Sequence, residues 1–396
     1  MSEVVTGWRM PAETVAQARV WMGFPPVGPT AGENADDIAE ARRAWAAVAH
    51  AIAEFQPVTM LVDPADEDIA PRYVSAAVER VTVPLDDAWL RDIGPSFVLD
   101  DDGALGAVNW RFNGWGRREW ARWERDDRVA STIARLAGAA RIDSDLVNEG
   151  GGIAVDGAGT VLLTDTVQRD PRRNPRLSRA DVEAEMARTL GADHAIWLAR
   201  GLHRDAERFG TFGHVDIVAA LASPECVVVH DQRDPGHPDH AISRETKRVF
   251  ESAATAAGGA WRIAALPAPR RLRDAHGFVD YSYINHLPIN GAVIVGTFDD
   301  PADAEARSIL AELYPGRRIV GVDARAIFAR GGGVHCITQQ QPRSTQAQVG
   351  ACCRFIRRRA GGRPNVFELS QDKAQRAYGS HSTVARCNAR LRPINN

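Results

Sequence analysis

What most narrows the fold of this chain is a repeated order of secondary-structure signals. The first helix pattern runs from Asp36 to Gln56, with Ile38, Trp45, Val48, Ile52 and Phe55 on one face, and Pro57 stops it. Val58 to Val62 reads as a short buried strand. A second helix is expected from about Pro71 and another strand from Val81 to Leu85. The loop DDAWLRDIGP follows, then a hairpin of Ser96–Leu99 and Ala104–Phe112 turning at Asp101-Asp102-Gly103.

The same order then returns. Helix Arg128–Ala137 leads to strand Ala140–Asp143, the loop around Asn148-Glu149-Gly150-Gly151-Gly152 and the hairpin IAVDGAGTVLLT. Helix Ser178–Leu190, with Ser178 as N-cap, leads to strand His194–Ala199, the loop FGHVD and a hairpin through Ala219 and Val227–Val229. Helix Ile242–Ala256 leads to strand Trp261–Leu266, the segment YSYINH and a hairpin at Asn290-Gly291. Helix Asp303–Leu313 leads to strand Arg318–Val322 and a glycine-cysteine stretch, Gly331 to Gln340.

Five helix–strand–loop–hairpin units at a spacing of roughly 50–70 residues predict a five-bladed α/β propeller. In such a ring the loop before each hairpin points to one central place. A doubly wound parallel sheet is the ordinary reading of alternating helices and strands, but it has no use for a hairpin after every loop. The fifth unit lacks a closing strand, and the N-terminal segment VWMGFP is expected to supply it. Residues 10–342 form the propeller on this reading, and 343–396 a basic, poorly packed tail.

With a net charge of −3 over 396 residues the chain has no electrostatic footprint for nucleic acid. No apolar run is long enough to span a bilayer, and the first residues lack the pattern of a secretory signal. The five cysteines, Cys226, Cys336, Cys352, Cys353 and Cys387, show neither a disulfide framework nor a CxxC zinc pair. Free thiols and a cytoplasmic location are the expectation.

The loops of the five units carry the candidate chemistry. The first offers Asp86, Asp87, Trp89 and Asp92, the second Glu149, the third His214 and Asp216, the fifth Cys336. Singly each has an innocent role: a turn cap, a surface ion pair, a structural histidine, a buried thiol beside glycines. Their recurrence at one point of the repeat is what groups them. A cysteine, a histidine and an orienting carboxylate suffice for a papain-like hydrolase. Two further acids would raise the thiol pKa unless a cation sits between them. A guanidinium supplies such a cation, being planar, permanently charged and matched to carboxylates. The reaction class is attack by sulfur on a guanidinium carbon.

The motifs WMGFP, DDAWLRDIGPSFV, NWRFNGWG, NEGGGIAVDGAGTVLLT, GHVD, NGAVIV and GGGVHCITQQQP resemble those of the agmatine deiminase family, grouped with bacterial peptidylarginine deiminases in the guanidine-modifying (pentein) superfamily. The resemblance runs in order from about Met10 to Pro342, and HCITQQ is highly specific. It implies a five-bladed α/β propeller. It also implies Cys336 as nucleophile, His214 as general acid and base, Glu149 as the partner of that histidine, and Asp92 and Asp216 as guanidinium-binding carboxylates. Trp89 matches the tryptophan beside the substrate, and Gly332 and Gly333 lie in the substrate-binding stretch. The implied activity is hydrolysis of a guanidino group to a ureido group and ammonia through an amidino-cysteine adduct, without metal or cofactor. The partner is a small-molecule guanidine, and a homodimer is possible.

The chain departs from the family pattern at several positions. Phe212 stands where an acid is usual, Arg330 and Arg117 where glycine is, Gly333 and Ile217 where asparagine is, and Gln17 and Ala154 where histidine is. Phe212, Arg117 and Arg330 together suggest a more positive pocket, and hence a guanidino acid or an arginine derivative as an alternative to agmatine. An amidinotransferase is a second alternative, and a propeller that only binds a partner is a third.

Overall fold

The computed structural model describes residues 7–32 and 34–345. Five sheets share one build. Each opens with an antiparallel hairpin, crosses through a helix and adds a strand parallel to the second hairpin strand. The clearest are Ser96–Leu99, Leu105–Arg111 and Ala140–Val147; Ala154–Val155, Thr160–Thr164 and His194–Leu198; and Ala219–Ser223, Cys226–Asp231 and Arg262–Pro267. A fourth sheet joins Leu287–Ile289, Ala292–Thr297 and Arg318–Asp323. The fifth is closed across the chain. Thr338–Pro342 pairs antiparallel with Gln17–Gly23, Trp21 opposite Gln339, and Val58–Val62 then adds in parallel. The segment containing VWMGFP thus completes the last blade of a five-bladed α/β propeller.

The central strands are nearly all apolar because both faces are covered, as in Val58–Val62, where every residue is buried. The crossover helices carry the covering stripes. Ala35–Ala53 buries Ala41, Trp45, Val48, Ala49 and Ile52, while Ile38 and Phe55 are only half-buried. Arg179–Leu190 begins at Ser178, whose side chain and that of Asp181 cap each other's backbone amides, and ends at Gly191 in the left-handed region.

Two local expectations change. The helix expected from Pro71 is a single 3-10 turn, Ala70–Arg72; Ala70, Val74 and Val78 are buried at helical spacing, but the Ser75 amide donates to His50 Nε2 at 3.0 Å instead of continuing the helix. The strand expected over Val81–Leu85 is Glu79–Thr82. Pro84 has no amide for a ladder, and the Leu85 amide instead donates to the Asp63 carboxylate at 3.0 Å. At the other end the chain remains tied down through Thr345: Arg343 donates to Ala16, and Ser344 and Thr345 donate to the Gly103 carbonyl. The remainder of the expected tail, with Cys352, Cys353 and Cys387, lies outside the described residues.

Candidate active site

The loop before each hairpin makes one short turn and delivers its polar residue to the centre. Asp92 lies in Leu90–Ile93, Glu149 immediately precedes Gly150–Gly152, His214 precedes Val215–Ile217, which contains Asp216, and Cys336 precedes Thr338–Pro342. All five side chains are buried, with Glu149 fully enclosed and Cys336 7% exposed.

The sulfur of Cys336 lies 3.4 Å from Asp216 Oδ2 and accepts from Asn285 Nδ2 at 3.2 Å. His214 faces Glu149 Oε2 through Nε2 at 3.3 Å and Asp92 Oδ1 through Nδ1 at 3.7 Å. Asp92 accepts from the Trp115 indole at 2.8 Å and the Gly151 amide at 3.0 Å. Asp216 Oδ2 takes the His335 Nδ1 contact at 2.8 Å. Asp216 Oδ1 and His214 Nδ1, both buried, have no hydrogen-bond partner among the described residues. Trp89 forms a wall, held edge-on against Trp45 with centroids 5.2 Å apart.

Glycine is required where the chain crosses these groups. A Cβ on Gly151 would come within 2.5 Å of His214 Nδ1 and 2.9 Å of Asp92 Oδ1. A Cβ on Gly332 would come within 2.6 Å of the Trp89 ring and 3.1 Å of the Cys336 sulfur. At Gly333 it would meet Asn285 Oδ1 at 2.4 Å and the Phe328 ring at 2.7 Å. Glycine here leaves room for Asn285, whose Oδ1 accepts from the His335 amide at 2.9 Å while its Nδ2 meets the sulfur.

Charge sets the protonation states. Burial raises the Cys336 thiol well above its ordinary value, and the carboxylates of Asp216 and Asp92 push the same way. Burial opposes the charged form of His214, but Asp92 and Glu149 outweigh it and bring its pKa up to about 9. Burial lifts Asp92 to about 6. For Asp216 and Glu149 burial also raises, but their cationic neighbours win and both are held low, Asp216 by His335 and His214, Glu149 by Arg173 and His214. At neutral pH the centre therefore holds an imidazolium, carboxylates and a neutral thiol.

Several of these neighbours were absent from the sequence reading. Asn285 occupies the same point of the fourth unit that Asp92, Glu149, His214 and Cys336 occupy in theirs, so the repeat itself could have found it. Arg173 meets both oxygens of Glu149 at 2.9 and 3.1 Å, donates to Asp170 at 3.0 Å and to the Thr211 carbonyl at 2.8 Å. Glu13, far away in sequence, accepts from His335 Nε2 at 2.8 Å and from Arg91 at 3.1 Å.

Other candidates are not brought in. Asp87 accepts from Thr30 at 2.6 Å, and Asp86 from the Arg125 amide at 2.9 Å; both fasten loops. Arg330 turns away from the centre and is matched by Glu40 at 3.0 Å and by the carbonyls of Ala31, Ala326 and Asp37. Arg117 is exposed. Phe212, in the left-handed region at φ 73°, lies between the guanidiniums of Arg118 and Arg172, 3.4 and 3.6 Å from its ring centre. Arg172 is matched in turn by both oxygens of Asp170. The more positive pocket expected from these three positions is not what they build.

The profile of the Porphyromonas-type peptidyl-arginine deiminase family matches residues 9–342. A Streptomyces coelicolor protein provisionally named an agmatine deiminase is 52% identical over 339 residues, 85% of this chain and 99% of the relative. The agmatine deiminase of Stutzerimonas stutzeri is 38% identical over 360 residues, 85% of this chain and 96% of its own. Among solved structures, the agmatine deiminase of Enterococcus faecalis has a TM-score of 0.79 at 30% identity, covering 85% of this chain and 96% of that one. A profile matched from one end of the described propeller to the other, and relatives matched over nearly their whole length, place this chain in the Porphyromonas-type peptidyl-arginine deiminase family.

Proposed function

We propose that this protein is a deiminase that hydrolyses agmatine to N-carbamoylputrescine and ammonia. The observation that carries this reading is the Cys336 sulfur 3.4 Å from the Asp216 carboxylate, with His214 between Asp92 and Glu149 beside it; burial and the carboxylates of Asp216 and Asp92 favour the neutral thiol. Such a thiol is a poor nucleophile until a cation arrives, and a guanidinium between the two acids is that cation. The unpartnered Asp216 Oδ1 is a ready acceptor for one guanidinium N–H.

On this reading the thiol proton leaves as the guanidinium binds, along the contact from Cys336 sulfur to Asp216 Oδ2. The sulfur adds to the central carbon, and the imidazolium of His214 gives its proton to one terminal nitrogen, which departs as ammonia. The carbon remains bonded to sulfur as an amidino-cysteine cation. His214, now neutral, takes a proton from water as the water oxygen adds to the same carbon. The C–S bond breaks as the hydroxyl proton passes to the departing sulfur, which releases the ureido product and restores the Cys336 thiol, while the proton first lost from the thiol leaves with the ammonia as ammonium. Glu149, anchored by Arg173, holds the imidazole in place through both proton transfers. Asn285, donating to the sulfur, stabilises it while it carries charge.

A reduced cysteine suits a cytoplasmic setting, and the reaction suits a step from a guanidinoalkylamine towards putrescine. The test is a panel of guanidines incubated with the purified protein, with ammonia and ureido product measured separately and no amine added. Equimolar release of both from agmatine is expected. Ureido product and ammonia from no member of the panel, or product only when an acceptor amine is present, would overturn the reading.

A further inference from the structure

Beside the reacting centre lies a cavity of about 170 Å³, lined by Arg204, Glu207, Phe209, Asp280, Phe328 and Gly331 among others. It lies between the two segments that deliver the nucleophile and the imidazole. On one side Gly331 immediately precedes Gly332, which crosses the Cys336 sulfur, and Gly331 itself packs on the Phe209 carbonyl. On the other side the 204–210 segment runs into Thr211 and His214, whose amides both donate to Asp205, at 2.7 and 3.0 Å. A volume of several waters is of the size of a short alkyl chain, and Gly331, in its wall, is one residue from Gly332 beside the Cys336 sulfur.

Asp280 is the unusual group in this cavity. Its side chain is 6% exposed, and its Oδ1 has no hydrogen-bond partner among the described residues. A buried carboxylate oxygen without a donor is costly, and native structures rarely leave one unexplained. Burial holds its pKa up to about 7, against the pull of Arg204 and with Asp205 and Asp239 adding to the rise. The charge of Arg204 reaches Asp280, but among the described residues the hydrogen bonds of the nearby guanidiniums go to other groups. Arg204 pairs with Asp274 at 2.7 Å, and Arg208 is exposed with its guanidinium over the Phe209 ring. Arg118 is fastened to the carbonyl of Gly210. Phe209 and Phe328, which also line the cavity, add aromatic surface of the kind that attracts an ammonium.

We propose that Asp280 is a specificity-determining residue, accepting the terminal ammonium of a guanidinoalkylamine whose guanidinium occupies the Cys336 site. The inference rests on the deiminase reading and adds the chemistry of the substrate's far end: a primary alkylammonium, not a carboxylate. No group of the reacting centre is involved, so the effect belongs to binding and not to bond breaking.

The test compares agmatine with butylguanidine, which keeps the guanidinium and the four carbons but lacks the ammonium, and with 4-guanidinobutanoate. The wild-type protein should favour agmatine over both in kcat/KM. Loss of a charge-assisted contact predicts that Asp280→Asn raises the KM for agmatine by about 10- to 100-fold, with kcat changed by less than about threefold. Butylguanidine kinetics should shift by less than about twofold in the same variant. Equal losses for agmatine and butylguanidine, or no loss for agmatine, would overturn the assignment. If Asp280→Asn does not fold, the wild-type comparison still decides, because equal kcat/KM for agmatine and butylguanidine removes any ammonium site. Turnover of butylguanidine without preference for agmatine sinks this inference alone, whereas turnover of no guanidine sinks the deiminase reading with it.

Discussion

Replacing Arg173 with methionine separates the support of the site from its chemistry. The Arg173 side chain is fully enclosed, as is that of Glu149, and it also binds Asp170 and the Thr211 carbonyl. Methionine keeps much of the length but none of the donors. It leaves Glu149 buried with only the His214 contact at 3.3 Å. Breaking a buried pair from one side costs about 3–5 kcal/mol, most of it from the charge left behind. For a body of roughly 340 described residues the unfolding entropy is roughly 0.7 kcal/mol per kelvin, so Tm should fall by about 4–7 °C.

The pH dependence carries the sign. In the wild type Arg173 and His214 hold the Glu149 pKa down against burial, a contribution present above the unfolded pKa and lost as pH falls through the folded one. Without Arg173, burial prevails and the carboxyl must protonate or be buried charged. The Tm gap between variant and wild type should therefore be wider near pH 8 than near pH 5. Glu149→Gln in the Arg173→Met background removes the stranded charge and should recover stability but not turnover. Differential scanning fluorimetry across pH checks all of this. A gap independent of pH, together with no recovery in the double variant, would refute the account of Glu149 as a carboxylate held by Arg173.

Cys336→Ser should abolish turnover while leaving Tm within about 1–2 °C, and a haloacetamidine should label Cys336 and leave the buried Cys226 unlabelled by mass spectrometry; labelling of Cys226 alone would reject the nucleophile. The kcat/KM profile for agmatine should be bell-shaped. It should fall below about 6 as Asp92 takes up a proton, and above about 9 as His214 loses one. Limbs at the ordinary values of 3.8 and 6.5 would contradict the charge assignment. Gly333→Ala forces Asn285 away from the sulfur and should lower kcat by about tenfold with little change in KM; an unchanged kcat would remove Asn285 from the reaction.

The architecture was legible because hairpin and helix patterns alternate in a fixed order, and because a missing fifth strand could be matched to an orphan segment near the N-terminus. The helix expected at Pro71 failed although buried Ala70, Val74 and Val78 follow helical spacing, because the Ser75 amide is claimed by His50, 25 positions earlier, a contact made only in the folded chain. Cys336, His214, Glu149, Asp92 and Asp216 were legible as loop residues at one point of the repeat, and Asn285 was legible by the same rule. Arg173 and Glu13 were not, since neither lies in such a loop and each meets its partner only in the folded chain, Glu13 across 322 positions from His335. Arg330 was misread for a related reason. Its position near Cys336 in sequence suggests a pocket residue, but Glu40 and the carbonyls near the start of the first helix claim it.

These supporting residues also explain why the thiol is set against its own ionisation. Four carboxylates approach the centre: Glu13, Asp92, Glu149 and Asp216. Glu149 is matched by Arg173, and Glu13 by Arg91 and His335. Asp92 and Asp216 have imidazoles nearby but no arginine of their own, and they are the two that raise the Cys336 pKa. A cysteine protease lowers its thiol pKa with a permanent neighbour; on the proposed reading the lowering here falls to the substrate's guanidinium. Neutralising Asp92 and Asp216 removes the repulsion on a thiolate at the same moment that the target carbon arrives beside it. Substrate recognition and formation of the nucleophile then become one event, and neutral molecules of similar shape leave the sulfur protonated. The same logic makes the outer cavity matter for affinity but not for activation, since Asp280 does not act on the sulfur.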